Sequence, residues 1–345
     1  MYMRVLIVTN SQSGGGAEVI VNTLSMELSK LQELDIHTFY LKDTESAFWR
    51  FTAFFKMLYV IFKLKPKVIQ SHLFFPSILS IFLSNFFSFK TQVVVHSISE
   101  IDSTNLGAKI AKYIYRKADM IVCISSKMLE LAQVLFQKST VCLINNPHDF
   151  KKYLRLSNTR VQLPASQYFV YVGRLTASKR VDQLIKAISK TKGDKKLIIV
   201  GDGEEKSNLK ELALQQGVDE NVYFLGRLSN PYPYIKNAKA MLLASEFEGY
   251  PNCLIEALGL GVPVITSNCQ TGPAEILGVS YNDDSLRITN QKCIIFPVGD
   301  SCALGKAIES EEYLKAEPFI LQGMVSHLSL KPIVTKYISA IKSLC

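Results

Sequence analysis

Short apolar runs recur along the first 150 residues and alternate with segments of helical spacing. Residues 4–8 form a mostly apolar run that ends in polar residues and glycines, which is typical of a buried parallel strand. In residues 17–31 the apolar side chains recur at helical spacing. Further strands are predicted at residues 68–69, 93–95, 120–122 and 141–144, with helices between them. This alternation predicts a parallel sheet with crossover helices.

The same alternation restarts in the second half of the chain. Residues 151–166 are polar, mixed in charge and interrupted by Pro164, so we predict a linker there. Beyond it, strands are predicted at residues 168–172, 196–200, 222–224, 240–243 and 262–265, and helices at residues 181–188, 209–216 and 253–260. The chain of 345 residues is long enough for two α/β domains of this kind.

Composition narrows the class of protein and its partners. Hydrophobic residues make up 48% and charged residues 20%, which indicates a globular rather than a disordered chain. There are 39 Lys and Arg against 30 Asp and Glu, a formal net charge of +9. That balance suits an anionic partner: nucleotide phosphates, a phospholipid surface or a nucleic acid.

The cysteines and the apolar segments predict a reduced protein without a membrane span. The seven cysteines show no CxxC spacing and no cluster with histidine, so we expect free thiols and no zinc site. No signal peptide is visible at the start of the chain. The most apolar stretch, residues 77–89, is too short to cross a bilayer and is broken by Ser and Asn. We therefore expect a cytoplasmic protein that touches a membrane at most.

The sharpest chemical signal lies in residues 245–258. A strand is predicted to end near Ala244, a Gly/Pro loop follows, and a helix begins near Asn252, where free backbone N–H groups form an anion site. Glu248 lies before this helix and Glu256 about one turn inside it. Carboxylates accept hydrogen bonds from vicinal hydroxyls and so suit a sugar and a ribose. Two glutamates eight residues apart are common on solvated surfaces, but the flanking Gly/Pro loop sets this pair apart.

These residues carry a family resemblance. Glu248-x7-Glu256, residues 261–265 and residues 271–277 resemble the family-four retaining glycosyltransferases of the GT-B fold, in the variant of bacterial enzymes that build surface polysaccharides and lipid-linked glycans. Three further sets of segments are similar to the family's nucleotide domain: residues 173–175 with 179–182, residues 200–203 with 224–227, and residues 230–238. The resemblance is dense from about residue 168 to 300 and thinner before that.

The resemblance implies a fold and a division of labour. It implies two Rossmann-like, doubly wound α/β domains that face each other across a cleft. Residues 1–150 would bind the acceptor, residues 151–330 would bind a nucleotide sugar, and residues 331–345 would form a C-terminal helix that crosses back to the first domain. Glu248 would contact the transferred sugar. The expected ligands of the rest of the donor are Arg174 and Lys179 for the diphosphate, the backbone of Gly249, Tyr250, Asn252 and Leu254, and Glu256 for the ribose.

Glycines and histidines of the first half complete the predicted site. Gly14, Gly15 and Gly16 follow the first strand and are similar to the family's N-terminal glycine loop, so Gly15 and Gly16 are assigned to donor binding; a tight turn is the alternative. No complete G-x-G-x-x-G motif is present, so a dinucleotide site is not expected. By resemblance, His96 matches a strand-end histidine near the reacting sugar, and His72 an earlier histidine that supports it or the acceptor. A structural, hydrogen-bonded histidine is the alternative for each.

Residues 46–99 contain six cations and no acidic residue. Seven aromatic residues interleave with the first of these cations: Phe48, Trp49, Phe51, Phe54, Phe55, Tyr59 and Phe62. A basic, aromatic helix of this kind can lie in an anionic membrane interface. The alternative is a core helix with a solvated basic edge. No DNA- or RNA-binding motif accompanies the stretch, so a nucleic-acid partner is not expected.

The resulting functional hypothesis is transfer of a hexose or N-acetylhexosamine from a UDP-sugar, with retention of configuration, to a glycan or polyprenyl-diphosphate-linked acceptor of a bacterial O-antigen, capsule or similar polysaccharide. The enzyme would act in the cytoplasm, on the inner face of the plasma membrane. The chain contains no Asp-x-Asp, so neither a metal nor another cofactor is expected. Two alternatives stay open: a non-catalytic partner subunit that binds a nucleotide sugar, and a nucleotide-sugar epimerase of similar architecture.

Overall fold

The computed structural model describes residues 3–12, 15–42, 48–102, 106–281 and 285–345. They form two compact α/β units. The first unit comprises Met1–His148 and Leu328–Cys345, and the second comprises Asp149–His327. Gly14, which the sequence places in a glycine loop, and residues 46 and 47 of the basic stretch lie outside the described residues.

The first unit is built on a parallel sheet. Its described strands are β1 (Met3–Thr9), β2 (Leu34–Tyr40), β3 (Val68–His72), β4 (Lys90–Val95), β5 (Met120–Cys123) and β6 (Thr140–Leu143). They lie in the order β2-β1-β3-β4-β5-β6. The helices are α1 (Gly16–Leu28), α2 (Trp49–Leu64), α3 (Phe74–Leu83), α4 (Ser99–Asp102), α5 (Leu106–Tyr115) and α6 (Ser126–Leu135). The strand order reverses between β1 and β3, and ligands of doubly wound folds bind at the carboxyl ends of the strands at such a point.

The second unit repeats this architecture with a different strand order. Its strands are β7 (Phe169–Val172), β8 (Leu197–Val200), β9 (Val222–Gly226), β10 (Ala240–Leu243), β11 (Val264–Ser267), β12 (Arg287–Ile288) and β13 (Ile294–Phe296). They lie in the order β12-β13-β11-β10-β7-β8-β9, with β12 antiparallel to β13. The helices are α7 (Phe150–Ser157), α8 (Val181–Lys190), α9 (Lys206–Gln215), α10 (Tyr232–Lys236), α11 (Asn252–Gly259), α12 (Pro273–Ile276), α13 (Ser301–Ser310) and α14 (Pro318–Val325). Here the order reverses between β7 and β10.

The central strands of both sheets are buried because they consist of apolar residues that helices cover on both faces. All four residues of β8 and all four of β10 are buried, and so are the last five of β4. The predicted strands at residues 68–69, 93–95, 120–122, 196–200 and 240–243 are confirmed, with boundaries that agree within three residues.

One segment differs from the sequence prediction. Residues 151–166 were expected to be a linker, but α7 occupies Phe150–Ser157. Asp149 starts this helix by accepting a hydrogen bond from the Lys152 backbone N–H at 2.9 Å. Only Tyr153 and Ser157 are buried in α7, which explains why its pattern resembles a polar linker.

The C-terminal residues pack with the first unit. Helix α15 (Leu330–Lys342) contacts α1, and the Lys342 ammonium pairs with the Glu33 carboxylate. Ser329 forms an isolated parallel bridge with His148. Among the described helices, none has the length and apolarity needed to cross a bilayer. All seven cysteines are free thiols.

Candidate active site

The predicted donor residues of the second unit gather where its strand order reverses. The loop after β7 carries Arg174 and Lys179, and the loop after β10 carries Glu248. Because β7 and β10 are parallel neighbours, their carboxyl ends lie at the same edge of the sheet. The loop that carries the two cations and the loop that carries the carboxylate therefore lie side by side at this edge.

Lys179 and Glu248 form an ion pair in this structure. The Lys179 Nζ lies 2.7 Å from Glu248 Oε1, and the side chains are 20% and 9% exposed. The same carboxylate oxygen accepts a hydrogen bond from the Ser245 hydroxyl at 2.7 Å. An ammonium group has three N–H donors, so Lys179 can hold Glu248 and still donate to a phosphate oxygen.

A neighbouring loop fixes the Glu248 backbone. The Thr271 hydroxyl donates to the backbone carbonyl of Glu248. Gly272 has φ of +89°, and a Cβ there would lie 2.4 Å from Pro251 Cδ, so no larger residue fits without displacing the loop. The loop between β11 and α12 thus clamps the loop that carries Glu248. In the sequence, residues 271–277 stand out only through the family resemblance, and the contacts of Ser245 and Thr271 were not predicted.

The loop that carries Arg174 packs closely against the loop after β8. A Cβ on Gly201 would lie 1.8 Å from the Gly173 carbonyl oxygen, so the two backbones can approach only because Gly201 has no side chain. The buried Tyr171 donates its hydroxyl to the Arg174 carbonyl at 2.8 Å. The backbone of Arg174 is therefore held from two sides while its side chain is exposed.

Glu256 occupies a different environment from Glu248. It lies on α11, half-buried, and removal of water from around the carboxyl raises its pKa from 4.5 to about 8. Burial raises the pKa values of Tyr153 and Tyr232, and the charge of Glu256 raises them further. The two tyrosine rings stack with centroids 4.7 Å apart. Sequence reasoning did not identify these tyrosines as neighbours of Glu256.

The remaining predicted donor ligands surround the start of α11. Pro251 precedes the helix, and Asn252 is its first residue. Gly249 and Tyr250 are buried, and so is the Leu254 side chain, so their expected contribution is through the backbone. The Leu254 N–H already donates to the Pro251 carbonyl at 3.1 Å.

Arg180 adds contacts between the same two loops that the sequence did not reveal. Its guanidinium pairs with the Glu246 carboxylate and, through Nε, with Asp182 at 3.1 Å. The Glu246 N–H donates to the Ser178 carbonyl at 2.9 Å. These contacts join the loop after β7 to the loop after β10 on both sides of the Lys179–Glu248 pair.

The two candidate histidines of the first unit contact each other. His72 ends β3, His96 follows β4, and His72 Nδ1 lies 2.8 Å from His96 Nε2. Burial lowers the pKa of His96 to about 4, and burial together with the charge of His96 lowers that of His72 well below its usual range. Both imidazoles are therefore neutral at pH 7.

Glu100 extends this pair into a polar network. Its carboxylate accepts hydrogen bonds from the backbone N–H of His96 at 3.3 Å and from the Tyr115 hydroxyl at 3.4 Å. Burial raises the pKa of Glu100 to about 7.

Directly after His72, Leu73 has φ of +72° and ψ of +163°, a conformation almost confined to glycine that costs of order 1–3 kcal/mol. Strain of this kind clusters at functional sites.

The glycine loop of the first unit has a structural role in this structure. Gly15 precedes α1 and Gly16 is its first residue. The Gly15 N–H, which the sequence assigns to donor binding, donates to the Glu18 carboxylate at 2.9 Å. This is the return half of a capping box, which satisfies one of the free N–H groups at a helix start.

Part of the chain is similar to known glycosyltransferases. Residues 160–294 match the family described as Glycosyl transferases group 1. An uncharacterised glycosyltransferase of Methanocaldococcus jannaschii is 35% identical over 182 residues, which is 50% of this chain and 45% of that protein. The Campylobacter jejuni N-acetylgalactosamine-N,N'-diacetylbacillosaminyl-diphospho-undecaprenol 4-alpha-N-acetylgalactosaminyltransferase is 29% identical over 57% of this chain and 56% of its own length. The match thus spans about half the length of these curated relatives.

Solved structures resemble the whole chain. The lipopolysaccharide outer core galactosyltransferase WaaB, in its apo form, is 20% identical and aligns with a TM-score of 0.71 over 99% of this chain and 100% of its own. Anabaena HepE in complex with UDP and glucose is 17% identical, with a TM-score of 0.78 over 99% and 100% of the two chains. The fold is that of the GT-B glycosyltransferases, as the sequence predicts. The similarity to the group 1 glycosyltransferases covers residues 160–294 of this chain.

Proposed function

We propose that the protein is a retaining glycosyltransferase that transfers a hexose or N-acetylhexosamine from a UDP-sugar to a glycan or polyprenyl-diphosphate-linked acceptor in bacterial surface-polysaccharide synthesis. The observation that carries the proposal is the Lys179–Glu248 pair at the carboxyl ends of β7 and β10. Phosphate requires cations and sugar hydroxyls require acceptors, and this edge of the sheet provides both. Arg174 and Lys179 would bind the diphosphate, Glu248 the transferred sugar and Glu256 the ribose.

Two of the similar proteins support the choice of substrates. HepE was solved with UDP and glucose, and the Campylobacter relative is named for an acceptor that carries diphospho-undecaprenol. We extend both properties to this chain as part of the proposal. The acceptor would belong to the first unit, where His96 would contact the reacting sugar.

The proposed reaction needs no protein nucleophile. The bond between the anomeric carbon and the leaving phosphate oxygen breaks, and the acceptor oxygen bonds to the same face of that carbon. The acceptor proton passes to the leaving phosphate oxygen. Arg174, Lys179 and backbone N–H groups would stabilise the negative charge that develops on the diphosphate, and Glu248 would position the sugar.

A donor screen followed by a transfer assay tests this proposal. We expect one nucleotide sugar of a panel to raise the melting temperature and to be consumed faster when a polyprenyl-diphosphate glycan is added. Glu248→Gln should impair transfer, whereas Glu211→Gln, an exposed carboxylate on α9, should not. Binding without hydrolysis or transfer would instead identify a partner subunit, and interconversion of the free donor would identify an epimerase.

We also propose that the first unit docks on an anionic membrane. Helix α2 buries Ala53, Met57 and Ile61, while one of its other faces carries exposed side chains. Its exposed aromatic stripe consists of Phe48, Phe51, Phe55, Tyr59 and Phe62, and α3 and the residues after it add Phe82 and Phe86. Ring contacts connect the two helices, with 6.4 Å between the Phe54 and Phe82 centroids. Trp49 is half-buried against Phe75 at 5.2 Å, so it contributes to packing more than to an exposed surface.

The charge around the aromatic stripe favours an anionic lipid surface as its partner. Arg50 and Lys63 are exposed on α2, and Lys56 is partly exposed. Residues 46–99 contain no acidic side chain. One of their cations, Lys90, pairs at 2.8 Å with Asp119, the residue before β5. Each basic residue near an anionic leaflet contributes about 1 kcal/mol of attraction, and exposed aromatic rings add apolar insertion. On a cytoplasmic leaflet this surface would hold the enzyme near a lipid-linked acceptor.

A further inference from the structure

The contact between His72 and His96 lies among other polar contacts of the first unit. From His72 the chain continues into Leu73, whose carbonyl accepts a hydrogen bond from the Ser77 hydroxyl at 2.7 Å. On α5, the Tyr115 hydroxyl donates to the Glu100 carboxylate at 3.4 Å. The Glu100 carboxylate also accepts a hydrogen bond from the backbone N–H of His96 at 3.3 Å, and the His96 ring contacts the His72 ring at 2.8 Å.

The two imidazoles share one hydrogen in their contact. A neutral imidazole carries one N–H and one bare nitrogen, so either His72 Nδ1 or His96 Nε2 is the donor. The choice also sets whether the other nitrogen of each ring carries a hydrogen. His72 Nε2 is buried without a hydrogen-bond partner among the described residues, and it would be a bare acceptor if His72 donates or an N–H if His96 donates.

The buried environment of His72 decides between these two arrangements. An orphaned buried N–H is rarer than an under-satisfied buried acceptor. The favoured arrangement therefore leaves His72 Nε2 bare and places the shared hydrogen on His72 Nδ1. His96 Nε2 then accepts, so that the hydrogen of the His96 ring lies on Nδ1, a nitrogen without a hydrogen bond within the described residues.

We propose that His72 is a positioning residue that fixes the tautomer of His96, so that His96 presents its Nδ1–H as a hydrogen-bond donor to a sugar hydroxyl oxygen. The inference deepens the proposed glycosyl transfer and rests on it for the identity of the ligand. Its structural part, the tautomer, does not depend on that function. The lowered pKa values support it because they keep both rings neutral through the physiological range.

Nuclear magnetic resonance tests the tautomer directly. Long-range 1H–15N spectra of protein labelled in its five histidines distinguish Nδ1–H from Nε2–H rings. We expect His72 and His96, identified by their loss in His72→Phe and His96→Gln, both to be Nδ1–H in the wild type. In His72→Phe, which keeps an aromatic ring but has no donor, His96 should shift toward Nε2–H. An Nε2–H ring at His96 in the wild type, or no change in His72→Phe, overturns the proposal.

Transfer kinetics test whether His72 acts through His96. His72→Phe should lower kcat about tenfold, the effect of one lost hydrogen bond, and His72→Asn, which retains a side-chain N–H, should recover part of it. In a His96→Ala background, His72→Phe should cause no further loss. Additive losses would instead indicate an independent structural role and contradict the inference.

Two controls separate this inference from the proposed function. Melting temperatures of the variants show whether they fold. Donor binding assigned to the second unit should be unchanged in His72→Phe, so a normal thermal shift with UDP is expected. A wild-type protein that transfers no sugar would refute the proposed function, while the spectra would still decide the tautomer.

Discussion

Lys179 Nζ and Glu248 Oε1 lie 2.7 Å apart although 69 residues separate them in the chain. The contact joins the loop after β7 to the loop after β10, at the point where the strand order of the second unit reverses. One ammonium group thus holds the carboxylate that we assign to the sugar and retains N–H groups for a phosphate. The two residues that we assign to the two halves of a nucleotide sugar therefore hold each other in place.

Removing either cation should strongly reduce transfer. We expect Lys179→Ala and Arg174→Ala each to lower kcat about 10²- to 10³-fold, because each removes a fixed positive donor from the leaving diphosphate. Steady-state kinetics with saturating donor measure the effect. Lys186→Ala is the matched control, since Lys186 pairs with Asp182 at 2.9 Å on α8 and has no assigned ligand. Near-normal turnover in both single variants would remove these residues from the site.

The loop that clamps Glu248 should be sensitive at Gly272. Gly272→Ala forces a side chain into a backbone with φ of +89° and toward Pro251 Cδ, so we expect a loss of stability of order 1–3 kcal/mol together with reduced transfer. Gly278→Ala is the control, because Gly278 has φ of +64° but no atom within 4 Å of a new Cβ. It should lose stability without losing transfer. Denaturant unfolding and kinetics on both variants decide the point, and equal effects on transfer would argue against the clamp.

The raised pKa of Glu256 predicts how stability depends on pH. Its pKa is about 8 in the folded protein against an ordinary 4.5, so between these values the folded state binds more protons than the unfolded state. The stability of the wild type should therefore fall as pH rises from about 4.5 to 8, relative to a variant without this carboxyl. The melting temperature of the wild type should fall relative to that of Glu256→Gln as the pH rises across this range. Above the range, the difference between the two melting temperatures should stay constant.

Glu100 titrates in an overlapping range and serves as an internal check. Glu100, with a pKa of about 7, is the same in both proteins. Its titration therefore cancels in the difference in melting temperature between wild type and Glu256→Gln. A constant difference in melting temperature from pH 5 to 8 would show that the Glu256 carboxyl is not held in the protonated form.

Chelation should leave transfer intact. The sequence has no Asp-x-Asp, and the charge of the diphosphate is assigned to Arg174, Lys179 and backbone N–H groups. We expect the initial rate in excess EDTA to match the rate in added Mg²⁺. Complete loss in EDTA that Mg²⁺ or Mn²⁺ restores would reveal a metal requirement that the sequence did not predict.

The sequence predicted most of the strands of both sheets but missed β2, β12 and the buried β13. Continuous apolar runs identify the central strands because both of their faces are covered. In β2 only Leu34 is fully buried, and polar residues interrupt its apolar ones, so the strand contains no continuous apolar run. The helix α7 was missed for a related reason, since it exposes most of its basic residues.

The candidate site was predictable only in its local parts. The glutamate loop and the strand-end histidines follow from motifs and from strand positions. The clamp of Thr271 on the Glu248 carbonyl and the contact of His72 with His96 depend on which strands are neighbours. Strand order is a property of the whole sheet, and no local pattern specifies it.

Membrane binding should follow the charge and the aromatic stripe of α2. We expect the wild type to sediment with liposomes that contain anionic lipid, to bind less as salt increases, and to bind weakly when Arg50, Lys56 and Lys63 become Glu. Replacing the exposed rings of Phe48 and Phe62 with Ser should weaken the binding that persists at high salt, because that part depends on apolar insertion.

A second charge reversal separates this surface from the net charge of the protein. Lys306, Lys331 and Lys336 are exposed and lie outside residues 46–99, and changing them to Glu alters the net charge by the same amount. If the attraction were a property of the whole molecule, the two triple variants would lose binding equally. If α2 is the docking surface, only the first variant loses it. A wild-type protein that stays in the supernatant with anionic liposomes at low salt would refute membrane docking, and a soluble glycan would then be the better acceptor.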